Sequence, residues 1–318
     1  MLPHEALRVG VIGPGRLGAT LVASLRQAGI AVSAVVPSPA AALDPAGTID
    51  PAAALDPAGA LDPAGALDPA ATPPRLSLRD AVAIADVVWI TVPDDEIEPV
   101  AHDVAAALPR PLERPVAVIH SSGLGSLDLL APLRGVAAGI LCLHPLQSFA
   151  APGDAAALRD VPMAVTGDTP ADVAFGRWLA ERLGCLPFEL ADDAKPLYHL
   201  AAATASNLFV ALQSEAGELL AAAGVPPAAA PGLLAPLVAT TAANVAERGP
   251  SRALTGPVAR GDVGTVRAHL ALLADQAPRF AETYRSLSLE ALHLAAPRLD
   301  DDTVRALREL LEREEGRL

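Results

Sequence analysis

The chain has 318 residues, 52% of them hydrophobic yet only 3% aromatic, and a formal net charge of −14. The length suits two domains, and the shortage of rings leaves Ala, Val and Leu to build the cores. Such acidity argues against nucleic acid or an anionic membrane surface as a partner, since both demand clustered Lys and Arg.

The chain opens with an apolar run, Leu7 to Ile12, stopped by Gly-Pro-Gly; Arg16 to Ala28 is helix-like and ends at Gly29, and Ile30 to Val36 is the next strand. Strand, glycine turn, helix and strand in that order form a βαβ unit with parallel strands. Five hexapeptides follow in register from Ala42 to Ala71: ALDPAG, TIDPAA, ALDPAG, ALDPAG and ALDPAA. A proline in every repeat removes ladder donors, so a low-complexity, disordered loop is expected rather than a β-helix.

The α/β alternation resumes with helices at 78–85, 94–108, 126–133 and 170–183, and strands at 87–92, 116–119, 138–143, 163–166 and 186–189. After Ala191 the strand patterns cease and long helical patterns broken by Gly-Pro turns take over. The expected architecture is α/β: an N-terminal Rossmann domain with a doubly wound sheet over 1–190, then an all-helical domain over 191–318 for substrate binding and dimerisation. Cys142 and Cys185 lie on strand-like runs with neither disulfide nor metal spacing, and read as buried thiols in a reducing cytoplasm. The N-terminus lacks a basic segment followed by an apolar run, and no uncharged apolar stretch is read as reaching the ~20 residues of a membrane helix. A soluble, unexported, cytoplasmic protein is the expectation, with no bound metal.

Gly13-Pro14-Gly15-Arg16-Leu17-Gly18 fits G-x-G-x-x-G, and it follows a strand and opens a helix, the context that makes the pattern informative. Gly13 allows the tight turn, Gly15 lets a pyrophosphate approach the backbone, Gly18 lets helix and strand pack closely, and the helix N-terminus offers free N–H groups to the phosphates. An NAD site places Asp or Glu at the end of the second strand. Here Val35-Val36-Pro37-Ser38 stands there, which favours NADP, with Ser38 and Arg16 as phosphate donors, unless Pro37-Ser38 simply begins a loop. Val92 and Pro93 end the next strand against the cofactor ribose, and His120-Ser121-Ser122-Gly123 and His144-Pro145 end two further strands. Ser121 and Ser122 are cofactor contacts in this reading, and each His is either a structural group or a substrate contact.

Lys195, His199 and Ser206 fall within about 40° of one another on a continuous helix, with Asn207 about 80° round from His199. This polar row is either a solvated stripe or a set of substrate-facing donors. Leu254 to Asp262, containing Gly256-Pro257 and Arg260, is either a connector or a second polar turn.

GPGRLG, TVPDDEI, HSSG, LHPLQSF, YHLAAATASN and LTGPVARGD, in that order, resemble the Rossmann-like family whose C-terminal half is the domain of unknown function 2520, within the 6-phosphogluconate dehydrogenase-like superfamily. The resemblance spans nearly the whole chain outside the hexapeptide insert. It implies an NADP-dependent oxidoreductase, and relatives such as pyrroline-5-carboxylate reductase, prephenate dehydrogenase, ketopantoate reductase and β-hydroxyacid dehydrogenases bind substrate between a Rossmann domain and an all-helical, often dimer-forming domain. Two departures stand out. Where some of those relatives carry Asn one turn after the catalytic Lys, His199 stands one turn after Lys195 and Asn207 comes three turns on. The residues after His144-Pro145 also differ from those of prephenate dehydrogenases.

The expectation is hydride transfer from NADPH to a C=O or C=N carbon of a small substrate, with a ketopantoate-like 2-oxo acid as one candidate. His199 is the expected proton donor, Lys195, Ser206 and Asn207 are orienting groups, and His144 faces them. The rivals are a non-catalytic dinucleotide sensor and a deazaflavin-dependent oxidoreductase.

Overall fold

The computed structural model describes residues 7–37, 73–110, 112 and 114–312. Ser38 and the hexapeptide repeats over 42–71 lie outside the described residues. The chain divides into two compact units, Met1–Ser206 and Asn207–Leu318.

In the first unit, seven strands form one sheet in the order β2-β1-β3-β4-β5-β6-β7. The strands are β1 (Arg8–Ile12), β2 (Ala31–Val36), β3 (Val87–Ile90), β4 (Ala117–His120), β5 (Gly139–Pro145), β6 (Pro162–Gly167) and β7 (Leu186–Glu189). Helices α1 (Arg16–Gln27), α2 (Leu78–Ile84), α3 (Asp94–Ala107) and α4 (Pro170–Arg182) cover it.

Successive strand residues point to opposite faces, and here both faces are buried. Val9, Val11, Trp89, Ile119, Leu141 and Leu143 pack on one side with Leu21 and Leu25 of α1 and Leu179 of α4. Ile12, Val88, Ile90, Val118 and Ile140 pack on the other with α2, α3 and the 3-10 turn Leu127–Leu133. A sheet covered twice needs unbroken apolar strands, which is why these segments read as continuous hydrophobic runs rather than alternating ones.

Two local features depart from the pattern read in the sequence. Leu127–Leu133 is 3-10 rather than α, with Pro132 inside it. β6 runs antiparallel to β5 while all pairs among β1 to β5 are parallel. A parallel return needs a crossover of a dozen or more residues, usually a helix; the link from β5 to β6 holds only the short 3-10 turn Ala155–Leu158, so the chain comes straight back. α4 then supplies a true crossover, and β7 lies parallel to β6.

The first unit ends with α5 (Lys195–Ala205), one helix past the point where the strand pattern stops. α5 stays with the sheet because its first residue, Lys195, is 1% exposed and hydrogen-bonded into it.

The second unit carries α6 (Asn207–Ala222), α7 (Ala230–Arg248), the short α8 (Pro250–Ala253), α9 (Val263–Gln276), α10 (Ala281–Ala295) and α11 (Asp301–Glu312). Val266 and Leu270 of α9, Leu292 of α10, and Leu307 and Leu311 of α11 form its core. By contrast Leu208, Val210, Leu233 and Leu237 on α6 and α7 are 59–66% exposed. The expectation that no apolar stretch approaches membrane length is corrected here. Pro227–Arg248 is long and apolar enough to cross a membrane, with mean hydropathy 1.3 and 6% of the span buried. The four prolines between 226 and 236 sit at helix starts or are absorbed within α7, as Pro236 is, so they do not break the helix.

Candidate functional site

Because β1 to β5 are parallel, the turns after β1, β3, β4 and β5 emerge along one carboxyl edge, where open α/β sheets hold ligands. The glycine loop is built there from three different demands. Gly13 has φ +85°, a left-handed conformation that favours glycine. A methyl group on it would also stand 2.7 Å from Val92 Cγ1. At Gly18 a methyl would collide with the Gly13 carbonyl oxygen and stand 2.5 Å from Thr91 Oγ1. At Gly15 it would meet nothing within 4 Å.

The loop thus needs Gly13 and Gly18 to form at all, and keeps Gly15 clear for something else. Thr91 pins it, its hydroxyl standing 2.6 Å from the Gly13 carbonyl oxygen and 3.0 Å from that of Ile12, with one hydrogen shared between them. Gly15 caps α1 without any side-chain acceptor, and no acidic residue stands in the first turn. The free N–H groups and the positive end of the helix dipole therefore face an uncontested space, which fits a dinucleotide pyrophosphate. Arg16 and Gly15 are exposed and Leu17 is half-buried.

β2 ends at Val36 with no carboxylate among its described neighbours. Arg75 lies beside Val35 as a parallel bridge, with Val35 N donating to the Pro74 carbonyl at 3.0 Å. Arg75 is exposed. An arginine at the second strand thus exists, delivered by residues that follow the insert, where no local motif announces it.

The other three turns are built inward. Val92 is buried under Gly13, and Pro93 is exposed as the N-cap of α3. Ser121 Oγ accepts from Trp89 Nε1 at 2.8 Å. Ser122 Oγ donates to Asp94 Oδ2 at 2.6 Å and accepts from Gly125 N at 2.7 Å. Both hydroxyls expected as cofactor contacts are buried, and these bonds help to shape the loop after β4.

Lys195 belongs to the same framework. Its ammonium donates to the Ser122 carbonyl at 2.8 Å and to Cys142 Sγ at 2.9 Å, and the Cys142 thiol donates to the same carbonyl at 3.2 Å. Asp192, just before α5, accepts from Leu127 N at 2.9 Å. Lys195 therefore ties α5, β5 and the loop after β4 together from below. The continuous polar row expected from Lys195 to Asn207 is corrected by this geometry. Lys195 is buried while His199 is exposed, α5 stops at Ala205 with Ser206 as its C-cap, and Asn207 begins α6. The helix breaks where the wheel assumed it continued.

His144 and His199 do come together. A methyl group on Gly123 would stand 2.8 Å from His144 Nε2 and 2.8 Å from His199 Cδ2. Gly123 is the floor over which the two imidazoles converge. His144 Nδ1 pairs with the Tyr198 hydroxyl at 2.7 Å, the rings meeting edge to face, and Tyr198 also packs near Phe188 of β7. Burial, then Lys195 and His199, hold His144 down to about 4 against the opposing pull of Asp94. Burial, then Lys195 and His144, push His120 down to about 3. Burial raises Tyr198 to about 12 and also raises the Cys142 thiol, against Lys195. At neutral pH His144 and His120 are uncharged, the phenol keeps its proton and the thiol is neutral.

Sequence reasoning placed His144 and His199 but missed Tyr198, Cys142, Asp94, Asp192, Thr91 and Arg75. Tyr198 lies one residue before His199 in the motif already singled out; its role follows only from β5 passing beside α5. Among the described residues no three His, Cys, Asp or Glu side chains gather to hold a metal.

No curated protein matches the chain in sequence. Solved structures match it along nearly its whole length. A candidate NADP oxidoreductase from Bacteroides fragilis is 18% identical, with a TM-score of 0.62 over 91% of this chain and 99% of that one. A pyrroline-5-carboxylate reductase from Streptococcus pyogenes is 18% identical, with a TM-score of 0.57 over 96% and 99% of the two chains. An imine reductase from Myxococcus stipitatus, solved with NADP+, is 19% identical, with a TM-score of 0.56 over 96% and 100%. These likenesses establish the fold, a Rossmann-like sheet followed by a helical unit. In sequence, residues 161–291, from β6 into α10, match the family model described as Domain of unknown function (DUF2520).

Proposed function

We propose that the chain is an NADP-dependent reductase that delivers a hydride to the carbon of a C=O or C=N bond in a small substrate. The observation that carries this reading is the pairing, along one sheet edge, of an uncontested Gly15 cradle at the α1 N-terminus with two imidazoles converging over Gly123. The named relatives, described as NADP-binding or imine-reducing proteins, support it.

In this reading the Gly13–Gly18 loop and the first amides of α1 hold the pyrophosphate, while Arg75 and Arg16 supply positive charge to a 2′-phosphate. Reduced nicotinamide supplies the hydride. The protein's part is to position the substrate and meet the charge that develops on its heteroatom. His199, exposed beside His144, gives or takes the proton; Lys195 does not touch substrate but fixes the loop on which the histidines rest. A 2-oxo acid of ketopantoate type is the candidate substrate, and the exposed apolar faces of α6 and α7 form the contact of a homodimer.

The test is NADPH consumption against a panel of 2-oxo acids, aldehydes and cyclic imines. With a turnover substrate in hand, His199→Ala is expected to lower the rate by roughly 10²–10⁴ and to leave NADPH affinity unchanged. Full activity in that variant would remove His199 from the mechanism.

A further inference from the structure

The Tyr198–His144 pair fixes more than a ring orientation. The Tyr198 hydroxyl stands 2.7 Å from His144 Nδ1, and a phenolic hydroxyl has one hydrogen to donate. An imidazole that accepts at Nδ1 while uncharged carries its hydrogen at Nε2. That Nε2 has no hydrogen-bond partner among the described residues. Since the buried unpartnered polar side-chain atoms are Ser33 Oγ and His120 Nε2, His144 Nε2 is not sealed inside the protein. It lies over Gly123, beside the ring of His199.

We propose that Tyr198 is a positioning residue that locks His144 as a neutral Nε2–H donor, so that the site takes a substrate presenting a hydrogen-bond acceptor, a carbonyl oxygen, in preference to a protonated cyclic imine. This rests on the reductase reading above and narrows it. A carbonyl oxygen accepts from Nε2–H and gains from it as negative charge builds during reduction. An iminium presents its own N–H, so two donors would face each other, and the substrate cation would add to the charge of Lys195 behind the ring. A site built around a hydrogen bond rejects strongly a ligand that cannot complete it.

The groups around His144 agree. Lys195 and His199 of α5 disfavour a charged His144, Asp94 of α3 opposes them, His120 of β4 is itself held neutral by burial, and Asp192 is engaged by Leu127 N. Burial keeps the Tyr198 phenol protonated at neutral pH.

The experiment is long-range ¹⁵N spectroscopy of the full chain at neutral pH, with His144 assigned by the signals lost in His144→Gln. The expected spectrum has an unprotonated Nδ1 and a protonated Nε2, and Tyr198→Phe converts it to a mixture of tautomers. A protonated Nδ1, an imidazolium, or a spectrum unmoved by Tyr198→Phe overturns the proposal.

Kinetics provide the second arm. Turnover of 2-oxo acids or aldehydes over cyclic imines is expected, and Tyr198→Phe should lower kcat by roughly tenfold or more with KM little changed. Preference for the imine, or a Tyr198→Phe effect confined to KM, overturns the proposal even where NADPH binds. Failure of NADPH to bind in a fluorescence titration would instead strike the reductase reading, and with it the substrate assignment, while the spectrum still decides the tautomer.

Discussion

The sheet unit and the helical unit draw on the same Ala-, Val- and Leu-rich alphabet and use it differently. In the first, two apolar clusters on opposite faces of the sheet cover nearly every Val, Ile and Leu of the strands. In the second, α9, α10 and α11 close a small core, while α6 and α7 leave leucines more than half exposed. The difference is that a sheet wound on both sides satisfies its own hydrophobic faces, whereas α6 and α7 leave large apolar side chains uncovered among the described residues. The position of the chemistry follows the same division: the glycine loop and the histidines rest on the self-sufficient unit.

Substitutions in the glycine loop test the self-sufficiency of the sheet unit most severely. Gly18→Val places a side chain against the Gly13 carbonyl and Thr91, and should cost about 3 kcal/mol or more, read as a lower denaturation midpoint. Gly15→Val meets open space, so the midpoint should barely move while binding of NADPH and NADH is lost in a fluorescence titration. Equal stability losses at the two positions would break the distinction between a glycine the fold needs and one the ligand needs.

Acid titration also strikes the sheet unit. His120 and His144 have folded values of about 3 and about 4, below the ordinary 6.5. Between those limits the unfolded chain binds more protons than the folded one, so stability falls as pH drops from 6.5 toward 4. Above 6.5 neither group contributes a slope. Thermal midpoints measured across this range should show the fall, and His144→Gln should make it shallower; an unchanged slope would place the cause elsewhere.

For the helical unit, Leu233→Asp combined with Leu237→Asp should convert the proposed dimer to monomer in sedimentation equilibrium. The substitutions should leave NADPH affinity intact, because the two leucines are already exposed. A detergent requirement for the unaltered chain would instead assign α7 to a membrane. The smallest expected effect is at Arg75. Arg75→Ala should weaken NADPH by about tenfold relative to NADH, the scale of one charge-assisted contact. An equal loss for both cofactors would remove it from the 2′-phosphate.

The sequence by itself determined the order of elements and the nature of the glycine loop. Apolar runs such as Val87–Ile90 and glycine stops such as Gly29 act locally, through strand propensity and backbone freedom, so they are legible without a partner. It determined the neighbourhood of His144 and His199 as well, because both follow recognisable element boundaries.

The tertiary structure alone decided which polar groups meet. Tyr198 finds His144 only because α5 and β5 come together, Lys195 turns inward only because the Ser122 carbonyl and Cys142 lie within reach of one ammonium, and Arg75 lies beside Val35 of β2 although the two are far apart in sequence. Register and pairing between segments far apart in sequence depend on packing over the whole unit. A helical wheel, which sees neighbours within a few turns, therefore placed Lys195 and His199 on one exposed row, where the fold buries the first and presents the second.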